Sequence, residues 1–511
     1  MTLQEKIGQR LMTGFPGLEM NEEFIRVIKE HKIGNVILFR ENIRDCEQLK
    51  KLCRDIQDLV RGETGHSAFI AIDQEGGIVT RLKEDGVNIP GAMALGATGD
   101  PENAYHAGRL IGREMCALGP NFNFAPTVDV NSNRTNPVIG VRSYSDDPHQ
   151  VARFATRAVQ GFLDGGVMCT AKHFPGHGDT NVDSHLALPC VDKSLEELEQ
   201  MDLIPFQAAV DAGVTAVMTA HILFPQIEPD NIPATMSRRI MQGILRDKLG
   251  FRGIIVSDCM EMAAIREHYG VSEGTLAAFK AGVDLVEITH HPQWCADAAV
   301  RLLEAAQAGE LNMEEMDASV NRILEYKARW IEGKELGEFD FAAAAEESRL
   351  LMEQTITEVQ HPAVPVELNH PLCIGCAPYR VSLVGNVDTR EGNPFGDQMS
   401  RELGGTCATM FRDPSAEEIT ALVAQAKDCG SAVVGTFNAV SNPGQLELIR
   451  ALVDSGIPTA AVALRGPYDL RELPEAVWAI VAYEYSPESI SATAKVLRRE
   501  LIPTGKLPVQ L

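Results

Sequence analysis

A repeated cysteine spacing, a long apolar run and an excess of positive charge are all missing from this chain of 511 residues. Its 11 cysteines, an odd number scattered from Cys46 to Cys429 without repeated spacing, fit reduced thiols better than a disulfide framework. The segment from Met1 to Gly14 carries Glu5, Lys6 and Arg10 and has no apolar core followed by small residues, so no secretory signal is expected. No uninterrupted apolar stretch approaches the roughly 20 residues of a membrane span. The expected setting is the cytoplasm, with no membrane partner. Lysine and arginine number 46 against 71 aspartates and glutamates, a net charge of −25, which disfavours nucleic acid and anionic surfaces by repulsion. The glycines form no dinucleotide or phosphate-loop fingerprint, so no nucleotide is implied. Cys373 and Cys376 have zinc or redox spacing, but no second pair accompanies them and a structural zinc needs four ligands.

What is present is a regular alternation. Hydrophobic residues make up 45% of a chain long enough for two or three domains. Short apolar runs recur at 11–14, 35–39, 68–72, 122–125, 167–170, 216–219, 254–256 and 283–286. Such runs suit strands buried on both faces, as parallel sheets require. Helix patterns lie between them. Ser194 and Glu197 form a capping box ahead of Leu195, Leu198 and Met201. Ile240, Met241, Ile244 and Leu245 share a face that ends at Gly250. Eight strands alternating with helices predict an α/β protein whose residues 1–335 form a (β/α)8 barrel of the TIM type. Residues 336–378, with four prolines between His361 and Pro378, read as a linker. Residues 379–511 read as a smaller parallel α/β sandwich domain, with strands at 381–384, 431–434, 459–463 and 476–481 and a helix at 416–427.

Between Lys172 and His185 stand three further proton-carrying residues, His173, His177 and Asp179, with Asp183 close by, on a backbone broken by Pro175, Gly176 and Gly178. Reacting groups of such barrels sit just past the carboxyl ends of strands. By that rule Asp73, Asp129, Asn131, Lys172, His173, His221, Asp258 and Glu287 converge on one face. A zinc site from His173, His177, Asp179 and His185 has suitable ligand types, but Pro175 between the first two histidines excludes a zincin helix. No metal is expected.

The segments Asp73-Gln74-Glu75-Gly76-Gly77 with Arg81, 136–143, 172–180, Met218-Thr219-Ala220-His221 and Ser257-Asp258 resemble the signature set of family 3 glycoside hydrolases, and the match spans nearly the whole barrel. Asp183-Ser184-His185 resembles the branch that acts as β-N-acetylglucosaminidases and uses a His/Asp dyad in place of the usual carboxylic acid. The ending, 503–508, is similar to the closing segment of two-domain members. Tyr144 departs from a usual Phe and Cys259 from a frequent Ala, and neither removes a reacting group.

The resemblance implies Asp258 as the nucleophile of a retaining reaction, His185 as acid/base and Asp183 as its dyad partner. It further implies that Asp73, Arg81, Arg142, Lys172 and His173 bind the sugar, with His177 and Asp179 holding their loop. Other readings are that Asp258 caps a helix, that His185 is an exposed loop residue, and that Arg142 is a barrel salt-bridge partner. Paired acid and nucleophile need no cofactor. The function implied is release of N-acetylglucosamine from the non-reducing end of small saccharides, such as muropeptide or chitooligosaccharide fragments, by a monomer or homodimer. The alternatives are a phosphorylase using inorganic phosphate, since a neutral imidazole base leaves the site less anionic, and a non-catalytic sugar-binding barrel.

Overall fold

A computed structural model of the chain describes residues 1–182, 188–379, 381, 385 and 392–511. Each of the eight apolar runs becomes a strand: β1 Leu11–Thr13, β2 Asn35–Ile37, β3 Phe69–Ile72, β4 Phe122–Asn123, β5 Met168–Phe174, β6 Ala216–Thr219, β7 Ile254–Val256 and β8 Val286–Ile288. All eight are parallel, in the order β7-β6-β5-β4-β3-β2-β1-β8, and an isolated bridge from Val256 to Leu285 brings the two ends together into a nearly closed barrel. The alternation of strand side chains explains the continuous apolar runs. Met12, Ile37, Phe69, Phe122, Phe124, Met168, Met218, Ile254, Val256 and Leu285 fill the interior. Their neighbours Val36, Ile70, Ile72, Val217, Ile255, Val286 and Ile288 pack outward against the helices.

Local chemistry sets the helix ends. Ser194 Oγ accepts from Glu197 N at 3.2 Å while Glu197 Oε2 accepts from Ser194 N at 2.7 Å, the capping box expected for the helix Leu195–Gln200. The helix Arg239–Lys248 buries Ile240, Met241, Ile244 and Leu245 but runs in wide turns, with Leu249 N donating to Ile244 O five residues back. The helix Met313–Trp330 closes the amino-terminal end of the barrel, where Tyr326 and Trp330 pack against the interior. Among the described residues no helix is long and apolar enough to cross a membrane.

The segment 336–378, read from its prolines as a linker, carries the helix Phe341–Thr355 and two strands, β9 Thr357–Gln360 and β10 Leu372–Gly375. Pro362, Pro365, Pro371 and Pro378 punctuate these strands rather than interrupt them, as residues that cannot donate a ladder bond must. β11 Thr406–Thr409, β12 Ala432–Thr436, β13 Thr459–Ala463 and β14 Trp478–Val481 complete a second sheet, ordered β11-β10-β12-β13-β14-β9. All of its pairs are parallel except β14 with β9. Of the run expected at 381–384, only Val381 lies among the described residues. Met93, Ala94, Ala97 and Val141 of the barrel pack into the core of this second unit, so the two share apolar surface.

Candidate active site

The carboxyl ends of the barrel strands surround a cavity of ≈ 660 Å³, within the range of small-molecule sites. Six of the expected site residues line it: Asp73, Arg81, Arg142, Lys172, His173 and Asp258. Asp183 and His185 lie outside the described residues.

A buried charge web forms one wall. Lys172, on the inner face of β5 and 1% exposed, reaches Asp73 Oδ1 at 2.8 Å and Glu75 Oε1 at 2.6 Å. Arg81 Nη2 meets Asp73 Oδ2 at 3.0 Å. Arg142, on the short turn Gly140–Arg142, grips Glu75 with two bonds of 2.9 and 2.7 Å. Arg142 is therefore both an ion-pair partner and part of the cavity wall. Burial alone would push both carboxyls up. Lys172 and Arg81 overcome that for Asp73, holding it well below the usual carboxylate range, and Arg142 and Lys172 bring Glu75 down to about 2. Three cations, Arg81, Lys172 and Arg142, then share two carboxylates, which gives this wall a positive balance.

Asp129, past β4, organises the segment after β5. It accepts from His173 N at 3.1 Å, from the His173 ring Nδ1 at 2.7 Å and from His177 N at 2.6 Å. With Nδ1–H turned to Asp129, His173 presents Nε2 toward Arg142 Nη2, 3.4 Å away. Burial, then Arg142 and Lys172, push His173 down to about 3, so it is a neutral ring at physiological pH. His177 is pushed down to about 4 by burial and by His173, and its Nδ1 pairs with Thr180 Oγ1 at 2.7 Å. Asp179 turns to Lys193 at 3.2 Å. The described members of the zinc set weighed above are thus each engaged elsewhere. Among the described residues no group of three His, Cys, Asp or Glu side chains is placed to hold a metal ion.

Asp258 follows β7, half-buried, with Oδ1 accepting from Cys259 N at 2.7 Å. It does not cap a helix, because the next helix is Ala263–Arg266 and begins after Met262. His221 supports this turn: its Nε2 lies 3.0 Å from Cys259 O and its Nδ1 lies 2.8 Å from Thr235 Oγ1. Phe39, Glu261, His290 and His291 line the cavity as well. Glu261 accepts from the backbone N of His290 and of His291 at 2.9 and 3.0 Å and pairs with His291 Nδ1 at 2.6 Å. Gly385, from the second unit, also lines the cavity.

Sequence reasoning missed the part played by Glu75. The signal was charge balance, since Arg81, Lys172 and Arg142 are too many buried cations for Asp73 alone. The rim residues Glu261, His290 and His291 carried no readable signal, for their places depend on how the turns after β7 and β8 cross.

Residues 2–326 match the family described as glycosyl hydrolase family 3 N terminal domain. A β-hexosaminidase A of Pseudoalteromonas piscicida is 36% identical over 371 residues, covering 64% of this chain and 61% of that one, so the match spans less than two thirds of that relative. A β-hexosaminidase of Stenotrophomonas maltophilia is 37% identical over 309 residues, covering 59% of this chain and 88% of that one. The solved structure of a glycoside hydrolase family 3 β-N-acetylglucosaminidase from Paenibacillus sp. superposes with a TM-score of 0.92 at 38% identity, covering 100% of this chain and 99% of that one.

Proposed function

We propose that this chain, which belongs to glycosyl hydrolase family 3, is a retaining exo-β-N-acetylhexosaminidase that releases N-acetylglucosamine from the non-reducing end of small saccharides such as muropeptide or chitooligosaccharide fragments. One observation carries the reading: Asp258 and the web of Asp73, Arg81, Arg142 and Lys172 line a single cavity at the carboxyl end of the barrel. The similarity to proteins named β-hexosaminidase and β-N-acetylglucosaminidase supports the substrate class. All eleven cysteines are free thiols, which supports a reducing compartment and a cytoplasmic setting.

In the proposed reaction the wall of Asp73, Arg81, Arg142, Lys172 and neutral His173 binds the hydroxyls of one sugar and fixes C1 over Asp258. The Asp258 carboxylate attacks C1. The C1–O bond to the leaving group breaks, and that oxygen takes a proton from His185, with Asp183 stabilising the charged ring. Water, losing a proton to His185, then attacks C1 and breaks the glycosyl ester, so configuration is retained.

Assays with 4-nitrophenyl N-acetyl-β-glucosaminide, with and without inorganic phosphate, test the reading together with 2-fluoro-glycoside trapping. The expected results are N-acetylglucosamine as product and a covalent adduct on Asp258. Release of a sugar 1-phosphate would make the chain a phosphorylase. Tight sugar binding with neither turnover nor adduct would make it a binding barrel. Asp258→Ala should abolish turnover, whereas His185→Ala should spare the first step when the leaving group needs no proton. Equal damage to that first step on an activated aryl glycoside would overturn the two roles.

A further inference from the structure

Glu287 is a strand-end carboxyl that the proposed reaction does not use. Leu285 belongs to the barrel interior, while Val286 and Ile288 pack outward, so alternation turns Glu287 inward. Val256 and Leu285 are bridged across the seam that closes the barrel. Two residues beyond that bridge on each strand, at the same level and on the same inner face, stand Asp258 and Glu287. The seam is tied there by Glu287 N to Ser257 Oγ at 3.0 Å and Met260 N to Glu287 O at 2.9 Å. Ile37, Phe124 and Met218 of the barrel interior line the same cavity and give it an apolar floor. Glu287 is 2% exposed, and its Oε1 finds no hydrogen-bond partner among the described residues.

A buried carboxyl oxygen without a partner is costly unless a ligand supplies one. Two carboxyls side by side at one level do not both ionise. Asp258 is the more open of the two and accepts the Cys259 N–H, so burial bears harder on Glu287. With the cavity taken, as above, to be the sugar site, we propose that Glu287 is a further substrate-binding residue: an uncharged carboxylic acid at the cavity floor whose Oε1 accepts a hydrogen bond from an O–H or N–H of the sugar held over Asp258. The titratable groups facing it are Asp258 after β7, Asp73 after β3 and Lys172 on β5. Burial, then Asp258 and Asp73, push Glu287 well above the usual carboxylate range, and Lys172 acts in the opposite direction. As pH rises and Glu287 ionises, a second negative charge appears beside the nucleophile and sugar binding weakens.

The full-length chain, E287L and E287Q are compared on 4-nitrophenyl N-acetyl-β-glucosaminide and 4-nitrophenyl β-glucoside from mildly acid to alkaline pH, with thermal melting as the check on folding. E287L should lose about tenfold in kcat/KM, the size of one hydrogen bond. The loss falls on both substrates if the donor is a hydroxyl, and on the N-acetylated one alone if it is the amide. E287Q keeps an uncharged acceptor, so it should be less impaired than E287L at mildly acid pH and should lose the alkaline decline in affinity. A folded E287L with unchanged kcat/KM on both substrates overturns the role, as does an E287Q that keeps the full alkaline decline. If E287L does not fold, the E287Q pH profile decides. A wild-type chain that cleaves neither glycoside would sink the enzyme reading instead, and calorimetric binding of N-acetylglucosamine to wild type and E287Q would still decide the part played by Glu287.

Discussion

The residue on which the site turns is Lys172. Its ammonium is shared by Asp73 and Glu75 while almost wholly buried, so removing it leaves Asp73 to Arg81 and Glu75 to Arg142 alone, each carboxylate short of one charged donor. Lys172→Met should destabilise the fold by about 1–3 kcal/mol in a denaturant titration, and a midpoint equal to wild type would show that Lys172 adds no net stability to the web. The web also fixes a pH dependence. Asp73 and Glu75 lie below their unfolded values, so they add stability above about pH 4.5 that is lost as pH falls toward about 2. Arg142→Lys keeps the charge but not the two-pronged grip on Glu75. It should lower kcat/KM by roughly tenfold or more while melting near wild type. Asp73, Lys172, His173 and Asp258 were legible in the sequence because each stands at a strand end, where chemistry in this architecture collects. Glu75 was not, since it sits in a loop whose course no periodicity reveals.

At the scale of elements, the eight barrel strands were legible because burial on both faces leaves an unbroken apolar run. β10 was not, for its four residues, Cys373 among them, lie between Pro371 and Pro378 in a stretch that reads as linker. The segment after β5 shows why local sequence and packing must be read together. A Cβ on Gly178 would lie 1.6 Å from Val130 O, and the same segment hangs from Asp129 through His173 and His177. Gly178→Ala therefore cannot keep this path. It should abolish activity and raise proteolytic susceptibility around the segment, and an active Gly178→Ala variant would refute the tight fit. Asp179 and Lys193 hold the outer side of that segment by a partly exposed ion pair, and neutralising Asp179 should cost little in stability.

At the scale of the molecule, the barrel and the second unit meet over a seam with its own titration. Glu484 accepts from Gly91 N at 2.6 Å with one oxygen unpartnered among the described residues. Burial pushes its carboxyl up to about 7, against the opposing pull of the Gly91 N–H. The folded chain therefore binds a proton that the unfolded chain has released, and stability falls as pH rises from about 4.5 to about 7. Glu484→Gln should flatten that part of the melting-temperature profile, and an unchanged slope would show that Glu484 ionises freely. Because Met93, Ala94, Ala97 and Val141 lie in the second unit's core, calorimetry should record a single melting transition for the whole chain.

The seam has a mechanical side too. At Gly77, with φ of +57°, a Cβ would come within 2.9 Å of both Glu484 Oε1 and Gly91 Cα, while Glu75 just upstream holds Arg142. At this point the charged wall of the cavity and the second unit are separated by one thickness of backbone. A side chain at Gly77 or Gly91 would press on Glu484 of the outer unit and on the loop that carries Glu75, so the docking of that unit constrains the same stretch of backbone as the cavity wall.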